Sequence, residues 1–160
     1  MSARSTSLVS TLLGPLLLAG CALDIPADPD GTLESIRSSG ELSVGVSPQP
    51  PFTTLPDGID EPPAGTEIDL VTGFAQSLSA EPTWVVGGEE SLMRALEEGE
   101  LDVVVGGLTA ESPWGTDVAL TRPYLVTVED GEETDHVMAV VPGENALLSA
   151  LERYLDGEQP

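Results

Sequence analysis

Residues Leu42-Ser43-Val44-Gly45-Val46 alternate apolar with small or polar side chains and carry β-branched residues at the apolar positions, the period-two pattern of a strand. Just before them Leu33 and Ile36 share one helical face. Thr32 stands as a cap and Gly40 as a stop, which predicts a short helix over 33–39. Residues 47–65 hold Pro48, Pro50, Pro51, Pro56, Pro62 and Pro63 and predict a stiff, irregular surface loop. Loops of this length are often functional. Ile68, Val71, Phe74, Ala75 and Leu78 recur at helical spacing and place a second helix over 67–79. A second strand follows at 83–86, and a third helix over 91–98 turns Leu92 and Leu96 inward, with Met93 at the edge of that face, and stops at Gly99. The run 101–106 is continuously apolar around DVVVG, as expected of a central parallel strand covered on both faces.

After a loop over 107–121, a strand is expected at 124–128, a polar turn at 129–135 (EDGEETD), another strand at 136–141 and a final helix over 144–155 carrying Leu147, Leu148, Leu151, Tyr154 and Leu155. The order αβαβαβ with short crossovers favours right-handed parallel pairing. The predicted fold class is therefore α/β, with a mostly parallel sheet of about five strands and helices on both faces. No internal repeat is visible.

The ends of the chain add an address. An apolar run of about eleven residues from Leu8 to Leu18, preceded by Arg4 and broken by Gly14 and Pro15, reads as a secretory signal over 1–20 and is shorter than the ~20 residues a spanning helix needs. It ends on Leu18-Ala19-Gly20-Cys21, which resembles the bacterial lipobox. The resemblance implies cleavage before Cys21 and lipidation of its thiol. The alternative is a plain signal peptide that leaves a free thiol. Cys21 is the sole cysteine, so no intrachain disulfide can form. Residues 21–31 then read as the lipidated cysteine and a Pro- and Asp-rich tether, whose ten residues from Ala22 reach ~33 Å at most. Residues 157–160 read as a tail. The expected location is the outer face of the cell membrane.

Charge narrows the partners. The chain has 5 Lys and Arg, all of them Arg, against 28 Asp and Glu. Loss of 1–20 removes Arg4 and no acid, so four arginines would face 28 acids, a formal charge of −24. Such a surface repels nucleic acid and anionic headgroups alike; lipid rather than charge must hold the protein to a membrane.

At this point the segments 31–52 (GTLESIRSSGELSVGVSPQPPF), 65–78 (GTEIDLVTGFAQSL), 89–109 (EESLMRALEEGELDVVVGGLT), 120–126 (LTRPYLV) and 140–155 (VVPGENALLSALERYL) resemble, in order, the extracytoplasmic solute-binding proteins of family 3, which serve polar amino acid transporters and related sensors. The resemblance implies a single Rossmann-like lobe of the periplasmic-binding-protein type II fold over 32–156. Two departures stand out. Relatives build a second lobe after the Pro-Tyr segment, whereas here only 129–135 intervenes. Relatives also carry a carboxylate-clamping arginine in a loop where this chain, counted from Thr109, has Trp114. Without enclosure or a guanidinium clamp, tight capture of a free amino acid is not expected.

In an open parallel sheet the ligand crevice lies beyond the carboxyl ends of the strands, where strand order switches. That rule selects Ser47, Phe52, Gly107 and Thr109, with Trp114 nearby. Phe52 and Trp114 can wall a ligand or simply cover the end of the sheet. Asp69, in the first turn of the second helix, resembles an acid found there in relatives and equally suits the helix dipole. Arg122 can meet an anion or pair internally with carboxylates. His136 is the sole histidine, and with no second imidazole and no G-x-S-x-G elbow the chain assembles neither a zinc site nor a nucleophilic triad. No cofactor or metal is expected, and the chain reads as a non-enzyme.

Three functions fit: a lipid-anchored module that binds a small polar solute (an amino acid or amine) beside a membrane transporter; an interaction lobe that docks on another membrane protein without a small ligand; and a homodimer whose two copies face each other and rebuild a cleft.

Overall fold

The computed structural model describes residues 28–56 and 61–157. The expected signal segment, Cys21, the first part of the tether and residues 158–160 lie outside the described residues.

The first half of the fold runs α1 (Thr32–Ser39), β1 (Glu41–Val46), α2 (Thr66–Ser77), β2 (Glu81–Val86), α3 (Glu89–Glu97) and β3 (Val103–Val105). Each element lies within about two residues of its expected place, because each has an apolar face with something to bury. Leu42, Val44 and Val46 of β1 are fully buried, as are all three valines of β3. β1 pairs in parallel with β2 on one side and with β3 on the other. The chain thus moves outward from β1 to β2, then back across β1 to β3. With right-handed crossovers, these opposite movements put α2 and α3 on opposite faces of the sheet. In keeping with this, α2 touches α4 (Asn145–Leu155) and α4 touches α1, while α3 packs on β1 and β3.

The second half differs from expectation in three places. A single 3-10 turn, Pro113–Thr116, and a two-residue strand β4 (Ala119–Leu120) occupy the segment expected as loop. The segment expected as a polar turn is mostly strand: β5 (Leu125–Glu129) and β6 (Glu132–His136) form a two-stranded hairpin in which Leu125 pairs with His136 and Glu129 with Glu132. The turn is only Asp130 and Gly131, at φ 53° and 87°. Asp-Gly with two positive φ angles is the tight turn that matches strand twist. Finally, the strand expected over 136–141 is divided. The chain leaves the hairpin after His136 and rejoins the main sheet as β7 (Ala139–Val140), antiparallel to β3 and β4. The sheet order is β2-β1-β3-β7-β4, a five-stranded α/β sheet whose leading half is parallel.

Residues Asp28 to Gly31, expected as tether, are fastened to the lobe. Gly31 caps α1 without a side-chain hydrogen bond, and carboxylates from elsewhere meet the free N–H groups of the helix instead. Asp28 Oδ2 accepts the Leu33 N–H at 3.2 Å, and Glu144, at the head of α4, accepts the N–H groups of Asp30 (3.0 Å) and Thr32 (3.1 Å). Asp28 Oδ1 is buried beside Glu144. Burial and the hydrogen bond to Glu144 push the Asp28 carboxyl up to about 6. Burial also opposes ionisation of Glu144, but the hydrogen bonds from Asp28, Asp30 and Thr32 prevail and lower it. A proton held on Asp28 below about pH 6 would let the two carboxyls share a hydrogen bond.

Candidate functional site

β1 ends at Ser47 and β3 at Gly106, side by side where the strand order switches, and the loops leaving them build one wall of a cleft. The Ser47 N–H donates to the Val105 carbonyl at 2.9 Å. The proline-rich loop then folds on itself: the Thr53 hydroxyl, fully buried, donates to the Ser47 carbonyl, and the Gln49 N–H donates to Thr53. This lays Gln49, Pro50, Pro51 and Phe52 across the strand ends beside Gly107 and Thr109. Gly107 sits at φ +65°, and a Cβ there would come within 2.7 Å of Gln49 Cγ and 3.0 Å of the Phe52 ring. Only glycine lets the loop lie this close.

The hairpin makes the opposite wall. Side chains alternate across a strand, so Leu125, Thr127 and Glu129 share a face with their partners His136, Thr134 and Glu132. Thr127, Glu129, Thr134 and His136 line the cleft. Val126 and Val128, opposite Asp135 and Glu133, lie on the outer face and are 49% and 64% exposed. The root of the hairpin is held firmly: Thr109 bridges His136, the Ala110 N–H donates to the Asp135 carbonyl at 2.9 Å, and the His136 ring lies 4.4 Å from that of Phe52. The cleft encloses about 360 Å³, within the ~300–1,000 Å³ of small-molecule sites.

Beneath the two walls is a residue that the sequence reading passed over. Glu67, in the first turn of α2, is fully buried. Its Oε2 accepts the Gly107 N–H at 3.0 Å, its Oε1 accepts the Tyr124 hydroxyl at 2.6 Å, and its own N–H donates to the Phe52 carbonyl at 3.1 Å. One side chain and its backbone thus tie the proline-rich loop, the loop after β3 and the root of the hairpin together. Burial pushes the Glu67 carboxyl up, against the Tyr124 and Gly107 hydrogen bonds that favour the anion; burial and the neighbouring carboxylate push the Tyr124 phenol up. The sequence did carry a signal. Glu67 stands four and seven residues before Val71 and Phe74, so the acid sits on the apolar face of its own helix.

Of the residues selected from sequence, Phe52, Gly107 and Thr109 come together in the cleft, and Ser47 lies at its base as a backbone anchor. The other three lie elsewhere. Asp69 lines a separate groove of about 480 Å³ with Leu70, Tyr124, Leu125 and Tyr154. Trp114 donates its indole N–H to Glu89 at 2.7 Å. Arg122 forms ion pairs with Glu152 (3.1 Å) and Asp156 (2.6 Å). Among the described residues no group of three or more His, Cys, Asp or Glu is placed to hold a metal ion, and no helix is long and apolar enough to cross a membrane.

Known proteins of similar sequence and shape fall into two groups. The membrane-bound lytic murein transglycosylase F of Maricaulis maris is 39% identical over 129 residues, which are 79% of this chain and 27% of that protein. Its namesake from Vibrio cholerae is 35% identical over 99 residues, 59% of this chain and 17% of that one. The chain therefore spans about a quarter or less of the length of these relatives. Among solved structures, the arginine-bound form of domain 1 from TmArgBP superposes with a TM-score of 0.68 at 27% identity, covering 77% of this chain and 97% of that domain. An ancestral cationic amino acid solute binding protein reaches a TM-score of 0.70 at 15% identity, covering 79% and 93%, and shares the fold. The family of bacterial extracellular solute-binding proteins, family 3, matches residues 42–157, from β1 through both walls of the cleft to the end of α4. This chain belongs to that family.

Proposed function

We propose that the protein is a single-lobed solute-binding module, anchored through lipid on Cys21 at the outer face of the membrane, that holds a small polar solute beside a membrane partner in transport. The observation that carries this reading is the cleft at the strand ends. Its second wall is the hairpin, in the place where a second lobe would be expected to close over the ligand. The arginine-bound domain 1 of TmArgBP supports it, since a comparable lobe was solved there with a ligand. An open lobe is then less of a handicap than enclosure arguments alone suggest. A ligand is a binder of the native state and raises its melting point by mass action. Thermal shift and calorimetry on the full chain with amino acids, amines and sugars are expected to find one class that binds, and a flat response across the panel would remove the solute-binding role. Cys21→Ser is expected to move the protein from the membrane fraction to the soluble one.

A second reading is favoured by the 39% identity to a murein transglycosylase and by the exposed valines of the outer hairpin face. In it the lobe is a non-catalytic docking module that works beside cell-wall enzymes. Co-purification of a membrane protein from a chain that binds no solute would favour it. Light scattering separates both from the two-copy cleft, which requires a dimer.

A further inference from the structure

We propose that the cleft selects an organic cation without a carboxylate, an amine or guanidine rather than an amino acid. This rests on the solute-binding reading above and narrows its ligand.

Among the described residues the lining of the cleft carries one formal charge, the carboxylate of Glu129 on the inner face of the hairpin. Around it stand the hydroxyls of Thr109, Thr127 and Thr134 and the ring of Phe52. These are an ion-pair partner, hydrogen-bond acceptors and an aromatic face, all suited to a cation. His136 lines the same cleft, is 5% exposed, and has its Nε2 2.9 Å from the Thr127 hydroxyl. Its Nδ1 is buried with no hydrogen-bond partner among the described residues.

Among the described residues no cationic side chain lines the cleft to pair with a carboxylate. The arginines of the described residues are committed or distant: Arg94 pairs with Glu90, Arg122 pairs with Glu152 and Asp156, and Arg37 and Arg153 flank a separate hollow beside Phe74. The Gly107 N–H, which would otherwise be free at the strand ends, already donates to Glu67. A ligand carboxylate entering here would find neutral donors, the hydroxyls of Thr109 and Thr134 and the Gln49 carboxamide, but no cationic side chain to offset its lost water. It would also enter the field of a chain with a formal charge of −23, which concentrates cations and excludes anions.

Two pairs of probes isolate the carboxylate: agmatine against arginine, and putrescine against ornithine. Calorimetry on the full chain is expected to give agmatine a Kd at least about tenfold below that of arginine, the ratio set by ~1.4 kcal/mol, with putrescine likewise ahead of ornithine. Glu129→Gln, a change at an exposed position beside the turn, is expected to weaken agmatine about two- to fivefold, the scale of an exposed ion pair. Arginine binding as tightly as agmatine would overturn the selectivity and leave the solute-binding role standing. A preference for agmatine that Glu129→Gln leaves unchanged would overturn the assignment of the cation to this cleft. Silence from all four probes and from the wider panel would overturn the solute-binding reading itself.

Discussion

Valines 103, 104 and 105 of β3 and valines 126 and 128 of β5 are the same residue in the same kind of strand, yet the first three are fully buried and the other two are about half exposed or more. The difference is what covers them. β3 is a central strand with paired neighbours on both sides and α3 packed over it, so its side chains enter the core. The hairpin has two strands and, among the described residues, nothing covering its outer face, and an isolated pair of strands is marginal in water. It holds because its root is tied to Phe52, to the loop after β3 and, through Tyr124, to Glu67. The sheet is stable through burial; the hairpin is stable through a few polar attachments, and those same attachments shape the cleft.

The largest effect is expected where the two regions meet. Glu67→Ala removes the acceptor of the Tyr124 hydroxyl and the Gly107 N–H and leaves both half-buried without that partner, a loss of about 3 kcal/mol in a urea titration, with exchange of the hairpin amides accelerated more than that of β1. If hairpin and sheet amides accelerate equally, Glu67 is a core residue and not a tie. Next comes Val104→Ala, which empties two methyl groups from the sheet and is expected to cost about 2 kcal/mol. Val128→Ala makes the same chemical change on the hairpin and should stay within about 0.5 kcal/mol; a cost near that of Val104→Ala would mean that the outer face is covered in solution.

Between these two falls a pH effect at the opposite end of the lobe. Asp28 is raised from 3.8 to about 6 in the folded protein. The folded state therefore holds its proton more tightly than the unfolded chain. The stabilisation is complete below about pH 3.8 and is lost as pH rises through about 6, by on the order of 1 kcal/mol for a part-exposed carboxyl. Asp28→Asn keeps a neutral hydrogen-bonding side chain at all pH values. The variant should gain on the parent as pH rises from 4 to 7, measured by urea midpoints across that range. A constant difference between the two would mean that the Asp28 carboxyl is not raised in the folded state. Smallest of all is Val128→Ser, expected to leave stability and ligand binding unchanged; altered affinity would show that the outer face takes part in the site.

The sequence was legible wherever burial writes a period. Leu42, Val44 and Val46 announced β1, and Ile68, Val71 and Phe74 announced α2. The switch-point rule led from those elements to Phe52, Gly107 and Thr109. It was illegible where structure rests on pairing alone. Glu132 to His136 contains no apolar residue, so nothing marked it as a strand except the Asp-Gly turn before it and the alternation of Leu125 to Glu129 opposite. The hairpin wall of the cleft was hidden in that way: Thr127 and His136 fell in expected strands, but Glu129 and Thr134 read as turn, and nothing paired the four. α1 misled for a related reason. Its local sequence nominated Thr32 as cap, whereas Asp28 and Glu144 meet its free N–H groups, and Glu144 lies more than a hundred residues away along the chain.

The two-residue turn at Asp130 and Gly131 has one further consequence. β5 carries the chain outward and β6 brings it back in register, so the path enters and leaves the tip through adjacent points. A chain of any length spliced between them would leave every pairing below untouched, and the entropic cost of a longer closure grows only with the logarithm of its length. The tip is thus a socket: a whole domain can be gained or lost there while the lobe beneath keeps its shape.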